Sequence, residues 1–340
     1  MSDVATRVRE ASEAGLAQAC WRQWRSIKGE HHLTRDERPA RSIIDPEALI
    51  LASLASRRVE RRLDESILWW LPRGSRLLSV QRFKTLARDF PLESQDDITW
   101  FANLAVGSGD ARWTSLAAEG HPTPQAFGRA RFPRQEKGPI ALELLEPATL
   151  MLRLRAGFGV GAKADLLTFL LGVAAHRGRS DAWVEGAPIA EALAYSKVSV
   201  RRATHDMTLA GLIEVSRDRS PDLAVDREAW ARLLQRTHSD SALSVAETHR
   251  AADQLPGWCF WSQTFALLGL CARWGTRVRE GSAPPTVAAS WARDIVEAHR
   301  SLFHRNRWPR IALEVHPGER LLEPFEAMVL NVVEWVHEHL

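Results

Sequence analysis

The sequence predicts a mainly α-helical chain, with helical regions on either side of a distinct central unit. Three observations carry this. Apolar residues recur at helical spacing through both ends of the chain, strand-like runs are few and short, and proline and glycine gather into a small number of breaks.

The elements follow in order. Residues 3–27 place Val4, Val8, Ala11, Cys20, Trp24 and Ile27 near a 3.6-residue period, the mark of an amphipathic helix. "DPEALILASLASRRVERRLDESILWWL" opens on Asp45, suited to an N-cap, and Pro46, suited to the first helical position; Pro72 marks a stop. "SVQRFKTLARDF" and "DDITWFANLAV" predict two further helical segments. Residues 119–140 carry four prolines and three glycines with little periodicity and read as a linker. The expected division is a helical domain over 1–118, a linker over 119–142, a central unit over 143–237 and a second helical domain over 239–340. In that last region "LLEPFEAMVLNVVEWVHEHL" spaces Phe325, Met328, Val329, Val332, Val333 and Val336 helically. Trp258, Trp261, Trp274, Trp291, Trp308 and Trp335 add to it. Such residues make a core by default, with a dimer interface as a second use.

Composition narrows the function classes. A formal charge of +3 over 340 residues gives no support to wholesale coating of nucleic acid, while leaving room for a local basic face. Arginine outnumbers lysine 40 to 5, a bias expected of a GC-rich bacterial genome. Cys20, Cys259 and Cys271 are odd in number and at no metal spacing, so a disulfide scaffold is not expected and a reducing, cytoplasmic setting is. "MSDVATRVREASEAG" lacks the apolar core of a secretory signal, and the longest apolar run, near Leu166 to Ala175, is too short to span a bilayer.

Enzyme motifs fail on spacing. "RAGFGVGAKADLLTFLLG", residues 155–172, sets three glycines ahead of a lysine, but a phosphate-cradling P-loop needs lysine and a hydroxyl directly after its last glycine. Here Ala162, Lys163 and Ala164 follow Gly161. A dinucleotide fingerprint requires its third glycine one residue later. The glycines read as a turn admitting a helix, with Phe158 and Val160 packing against it. "GSGDAR", residues 107–112, lacks the paired aspartates that would hold two magnesium ions and reads as a loop. No metal site is expected at His31–His32 or at His337-x-His339. No catalytic residue, metal or cofactor is expected. A second basic stretch, with Arg76, Arg82, Lys84 and Arg88, reads as a solvated helix side.

The central unit holds the specific pattern. "KADLLTFLLGVAAH" predicts a helix and "AWVEGAPIAEALAY" a short extended piece followed by a short helix. "SKVSVRRATHDMTLAGLIEV" predicts a longer helix ending at Gly211, and "SRDRSPDLAVD" a return as a small hairpin. Strand signals lie at 182–184, 212–216 and 222–226. Val200, Ala203, Met207 and Ala210 fall on one helix face, with Ile189, Leu193 and the helix at 164–175 available to bury it. The opposite face then carries Lys197, Ser199, Arg201, Arg202, His205 and Thr208 into solvent, the residue types that read a major groove and bind phosphate.

"PIAEALAYSKVSVRRATHDMTLAGLIEV" resembles the winged helix-turn-helix of bacterial transcription regulators, over 28 residues within a unit of about 75. The resemblance implies a sequence-specific regulator that binds double-stranded DNA as a homodimer. In it Lys197, Ser199, Arg201, Arg202 and His205 face the major groove. Tyr195, Ser196, Arg217 and Arg219 lie on the backbone, the last two from the wing, which here lacks the glycine turn many members carry. Ser196 is a natural N-cap. The alternative is a non-enzymatic adaptor of a toxin–antitoxin or phage-defence kind, whose winged helix docks a protein partner.

Overall fold

The computed structural model describes residues 2–28, 40–92, 94–118, 142, 144–177, 183–186, 188–217, 222–234, 254–281, 283–306, 308–309 and 315–340. The chain is mainly helical, with one small antiparallel sheet among those residues. None of the described helices is long and apolar enough to cross a membrane. Two compact units form. The first comprises Met1–Arg25, Asp45–Leu142 and Phe260–Leu340; the second comprises Ser26–Ile44 and Glu143–Cys259. All but one residue of the sequence-read linker at 119–142 lies outside the described residues.

The first unit contains most of α1 (Ser2–Lys28), then α2 (Pro46–Ser56), α3 (Arg62–Gly74), α4 (Val80–Asp89) and α5 (Gln95–Gly107). Asp45 caps α2 as its sequence suggests, accepting from the Ala48 amide at 3.1 Å, with Pro46 in the first turn. The stretch read as one run from Asp45 to Pro72 is two helices. None of residues 57–62 is fully buried, although Arg57 lies over the Trp100 ring at 4.1 Å and Arg62 over that of Trp21 at 4.6 Å. Pro72 sits inside the last turn of α3 rather than ending it. Phe83, Phe101 and Trp113 form an aromatic cluster with centroids 5.0–5.6 Å apart, mostly edge to face.

Arg82 does not lie on a solvated helix side. It is wholly buried, donating to Asp45 at 2.6 and 2.5 Å and to Glu47 at 2.5 Å, while Glu47 also accepts from the Ser79 amide at 2.6 Å. A charged group is tolerated in the core only when paired in this way. In the "GSGDAR" turn, Asp110 caps a short 3-10 helix and pairs with Arg112 at 2.7 Å.

The rest of the first unit is α11 (Trp261–Glu280), α12 (Pro285–Ala298), α13 (Arg300–Arg305) and α14 (Leu322–His339), numbered after the helices of the second unit. Phe325, Met328, Val329, Val332 and Val336 are buried along α14. Val333 is half-buried, its methyls standing where a Cβ on Gly15 would meet them at 3.0 Å. Trp261, Trp274 and Trp308 are core residues of this unit, and Trp258 is one of the second. Trp291 and Trp335 are half-buried, the first beneath the Arg277 guanidinium at 3.6 Å. His339 stacks on Trp335. Among the described residues no group of histidine, cysteine or acidic side chains could hold a metal; His31 and His32 lie outside them. All three cysteines are buried free thiols, and burial pushes those of Cys20 and Cys259 up to about 12.

The second unit carries α6 (Leu150–Phe158), α7 (Ala162–Arg177), β1 (Val184–Glu185), α8 (Ile189–Leu193), α9 (Lys197–Leu209), β2 (Glu214–Val215), β3 (Asp222–Ala224) and α10 (Arg227–Leu234). The strands fall within or beside the three segments the sequence marked as extended. Their order is β1-β3-β2, with Val184 opposite Leu223 and Glu214 opposite Ala224. Val184, Ile213, Leu223, Ala224 and Val225 are buried in and beside the sheet. Gly172 admits the backbone at Trp258, whose amide donates to the Gly172 carbonyl at 3.0 Å; a Cβ there would stand 2.9 Å from that nitrogen.

Candidate nucleic-acid interface

α9 is built by its own sequence. Ser196 is its N-cap, accepting from the Ser199 amide at 3.1 Å, and the two hydroxyls lie 2.8 Å apart. Val200, Ala203 and Met207 are buried on its inner face, against α7 and α8, where Ala164, Leu167, Leu171, Ile189 and Leu193 are also buried. Burying a side chain of the size of Met207 contributes roughly 1.5–3 kcal/mol, which fixes how α9 is rotated about its axis. The exit is a glycine C-cap motif. Gly211 has φ +69°, its amide donates to Thr208 O at 2.9 Å, and the Leu212 amide reaches back to Met207 O at 2.9 Å. Ala210 departs from the expectation that placed it on the buried face. It is the C-cap residue, still with helical dihedrals and its amide donating to Asp206 O at 3.1 Å, and it is exposed.

The turn before α9 is tight. Ala194 takes the left-handed conformation, φ +54° and ψ +38°, an uncommon one for a residue with a Cβ. Hydrogen bonds from the Ala194 amide to Glu191 O and from the Tyr195 amide to Ala190 O, both 3.1 Å, hold it.

On the outer face Lys197, Ser199, Arg201, Arg202, His205 and Thr208 are exposed together, as their spacing predicts. Among the described residues neither Arg201 nor Arg202 forms an ion pair. Asp206, the acidic residue beside them, is held by Lys163 at 2.8 Å from the first turn of α7. That hydrogen bond, more than the nearby charges of Lys163, Arg202 and His205, keeps the Asp206 carboxylate below its ordinary range. Lys163 reads from sequence only as the lysine of a failed P-loop. Its pairing with Asp206 joins residues 43 positions apart, so no local pattern reveals it.

Tyr195 is not free. Its hydroxyl donates to Asp165 Oδ2 at 2.8 Å, and the Asp165 carboxylate is gripped by Arg155 through Nε and Nη2, both at 2.7 Å. The Arg155 and Asp165 side chains are fully buried. Sequence reading assigns neither of them a role; an arginine and an aspartate ten residues apart on successive helices carry no signal of pairing. Arg217 is exposed just beyond β2, and Arg219 lies outside the described residues.

The glycine-rich segment is a turn between α6 and α7, with Gly159 at φ +84°. Phe158 is the last residue of α6. It stays half exposed, its ring 5.9 Å from that of Trp230 on α10. Lys163, which follows that turn in α7, pairs with Asp206 at 2.8 Å.

The arrangement is therefore a firmly seated helix whose outward face mixes hydrogen-bond donors and cations with the exposed aliphatic side chains of Val198 and Leu209, in a unit that also carries a short hairpin. No protein-family model, curated protein sequence or solved structure matches the chain.

Proposed function

We propose that the second unit contains a winged helix-turn-helix that binds double-stranded DNA, in a homodimeric, sequence-specific regulator of transcription. The element order supports this reading: helix, strand, helix, turn, helix, hairpin, with three short antiparallel strands. α9 lies in the major groove and the β2–β3 hairpin follows the backbone. Arg201 and Arg202 reach base edges or phosphates, His205 reads a base, and Lys197, Ser196 and Ser199 bind phosphate near the N-terminus of α9. Tyr195 acts by fixing the turn, through Asp165, rather than by touching DNA. The observation that carries the proposal is the distribution of charge on this face: Asp206 is neutralised by Lys163, while Arg201 and Arg202 stand without ion-pair partners among the described residues.

The test is fluorescence anisotropy on duplexes selected from a random pool by the full chain, over a series of salt concentrations. Arg201→Ala with Arg202→Ala is expected to weaken binding tenfold or more, at about 1–3 kcal/mol for each base no longer read. It should also make the salt dependence shallower by about 0.9 in log–log slope for each phosphate no longer neutralised. His205→Ala is expected to change sequence preference more than overall affinity. Unchanged affinity in the double variant overturns the groove assignment. A single stoichiometric protein partner, with no salt-sensitive DNA binding, replaces this reading with that of an adaptor.

A further inference from the structure

The outermost line of α9 runs through Val198, Arg202, His205 and Leu209, at i, i+4, i+7 and i+11, opposite the buried Val200, Ala203 and Met207. Two of these four are aliphatic and largely in water: Val198 is 72% exposed and Leu209 is 81% exposed. Val198 is the second residue of the helix, flanked by Lys197 and Ser199, with Arg201 and Arg202 on the next turn. A β-branched side chain there gives nothing to α9 itself, since such residues are indifferent helix formers. So exposed a side chain adds little to the core either.

Resting on the DNA-binding reading above, we infer that Val198 is a specificity-determining residue that reads the C5 methyl group of a thymine in the major groove. Charge complementarity sets the occupant. The cations around Val198 draw a polyanion onto this face, and an aliphatic group in the first turn of a helix entering the groove gains nothing from a phosphate but can pack on a base edge. The thymine methyl is the one apolar group that an unmodified base pair presents in the major groove. Arg202, one turn further along the same line, then reaches the next base pairs. An acidic protein surface would be drawn by the same charges, but Val198 and Leu209 stand about three helical turns apart on α9 and offer it no continuous apolar patch.

The experiment uses the full chain and the duplex it selects from a random pool. Each thymine is replaced in turn by deoxyuridine, which removes one methyl and leaves every hydrogen-bonding group in place. At one thymine of the recognised sequence the wild-type protein is expected to lose about fourfold in affinity, the ~0.8 kcal/mol of one buried methyl. Val198→Ala binds the thymine and deoxyuridine duplexes equally. Because Val198 is exposed, the variant is expected to keep the wild-type unfolding curve. Arg202→Ala weakens both duplexes by the same factor and keeps their difference. If the wild-type chain binds DNA tightly but no thymine is sensitive to loss of its methyl, or if Val198→Ala still senses it, this inference fails while the DNA-binding reading stands. If the full chain selects no duplex at all, or Val198 proves to seat a protein partner, both fail together.

Discussion

Tyr195 and Asp165 are joined by a 2.8 Å hydrogen bond from the phenol to the carboxylate, linking the turn before α9 to the body of α7. Arg155 completes the set from α6, so two helices and a turn meet at one carboxylate. Tyr195→Phe removes a hydrogen bond to a charged group and should cost about 1.5–3 kcal/mol. Asp165→Asn leaves the Arg155 guanidinium buried without its counter-charge and should cost more, about 3–5 kcal/mol. Urea unfolding followed by tryptophan fluorescence measures both. Equal, negligible losses would mean that the network does not hold the turn.

Lys163 and Asp206 make a different kind of pair, solvent-accessible and worth little to stability. Its effect is on the field of the α9 face. Lys163→Ala leaves stability nearly unchanged but exposes a bare carboxylate near Arg202, and should weaken DNA binding by ~3–10-fold at low salt. Asp206→Asn in the same chain should restore it. Binding titrations on the single and double variants check the cycle, and failure of the second substitution to rescue would remove electrostatics as the cause.

Arg82 stands between Asp45 and Glu47 in the core of the first unit, so one cation answers two carboxylates. Arg82→Met removes that cation and leaves two like charges buried together. A loss of about 3–5 kcal/mol is expected, read as a lower urea midpoint for the first unit. Replacing the exposed Arg88 on the same helix should change stability by no more than about 0.5 kcal/mol.

Two histidines give the first unit a pH dependence of fixed sign. Burial lowers the His299 imidazole from its ordinary 6.5, against a backbone hydrogen bond at Ile295 that acts the other way. Burial and the charge of Arg22 lower His337 likewise. Both are therefore neutral in the folded chain over a range where the unfolded chain already takes a proton. Their contribution is complete above 6.5 and is lost as pH falls below it towards the lowered folded values. Thermal unfolding from about pH 7.5 down to about pH 5 should show this loss, and His299→Gln with His337→Gln should flatten it.

Much of this was legible locally. The cap at Asp45, the cap at Ser196, the glycine exit at Gly211 and the three strand segments all rest on residues within a few positions of one another. The two faces of α9 likewise follow from spacing alone. What was not legible involves pairs far apart in the chain. Arg82 reads as a surface arginine until Asp45 and Glu47 are brought to it, and Lys163 reads as part of a glycine loop until α9 packs beside it. Ala210 continues the apolar period of α9 on paper, yet the helix stops one residue earlier.

The sequence by itself determined that the chain is helical, where its strands lie, and which side of α9 faces water, because helical and extended periodicities are properties of neighbours. Tertiary structure alone decided which charges are paired inside the protein and which stay exposed. A charge is free or committed according to what stands within a few ångströms of it, and that is set by packing between elements that the order of residues does not place together.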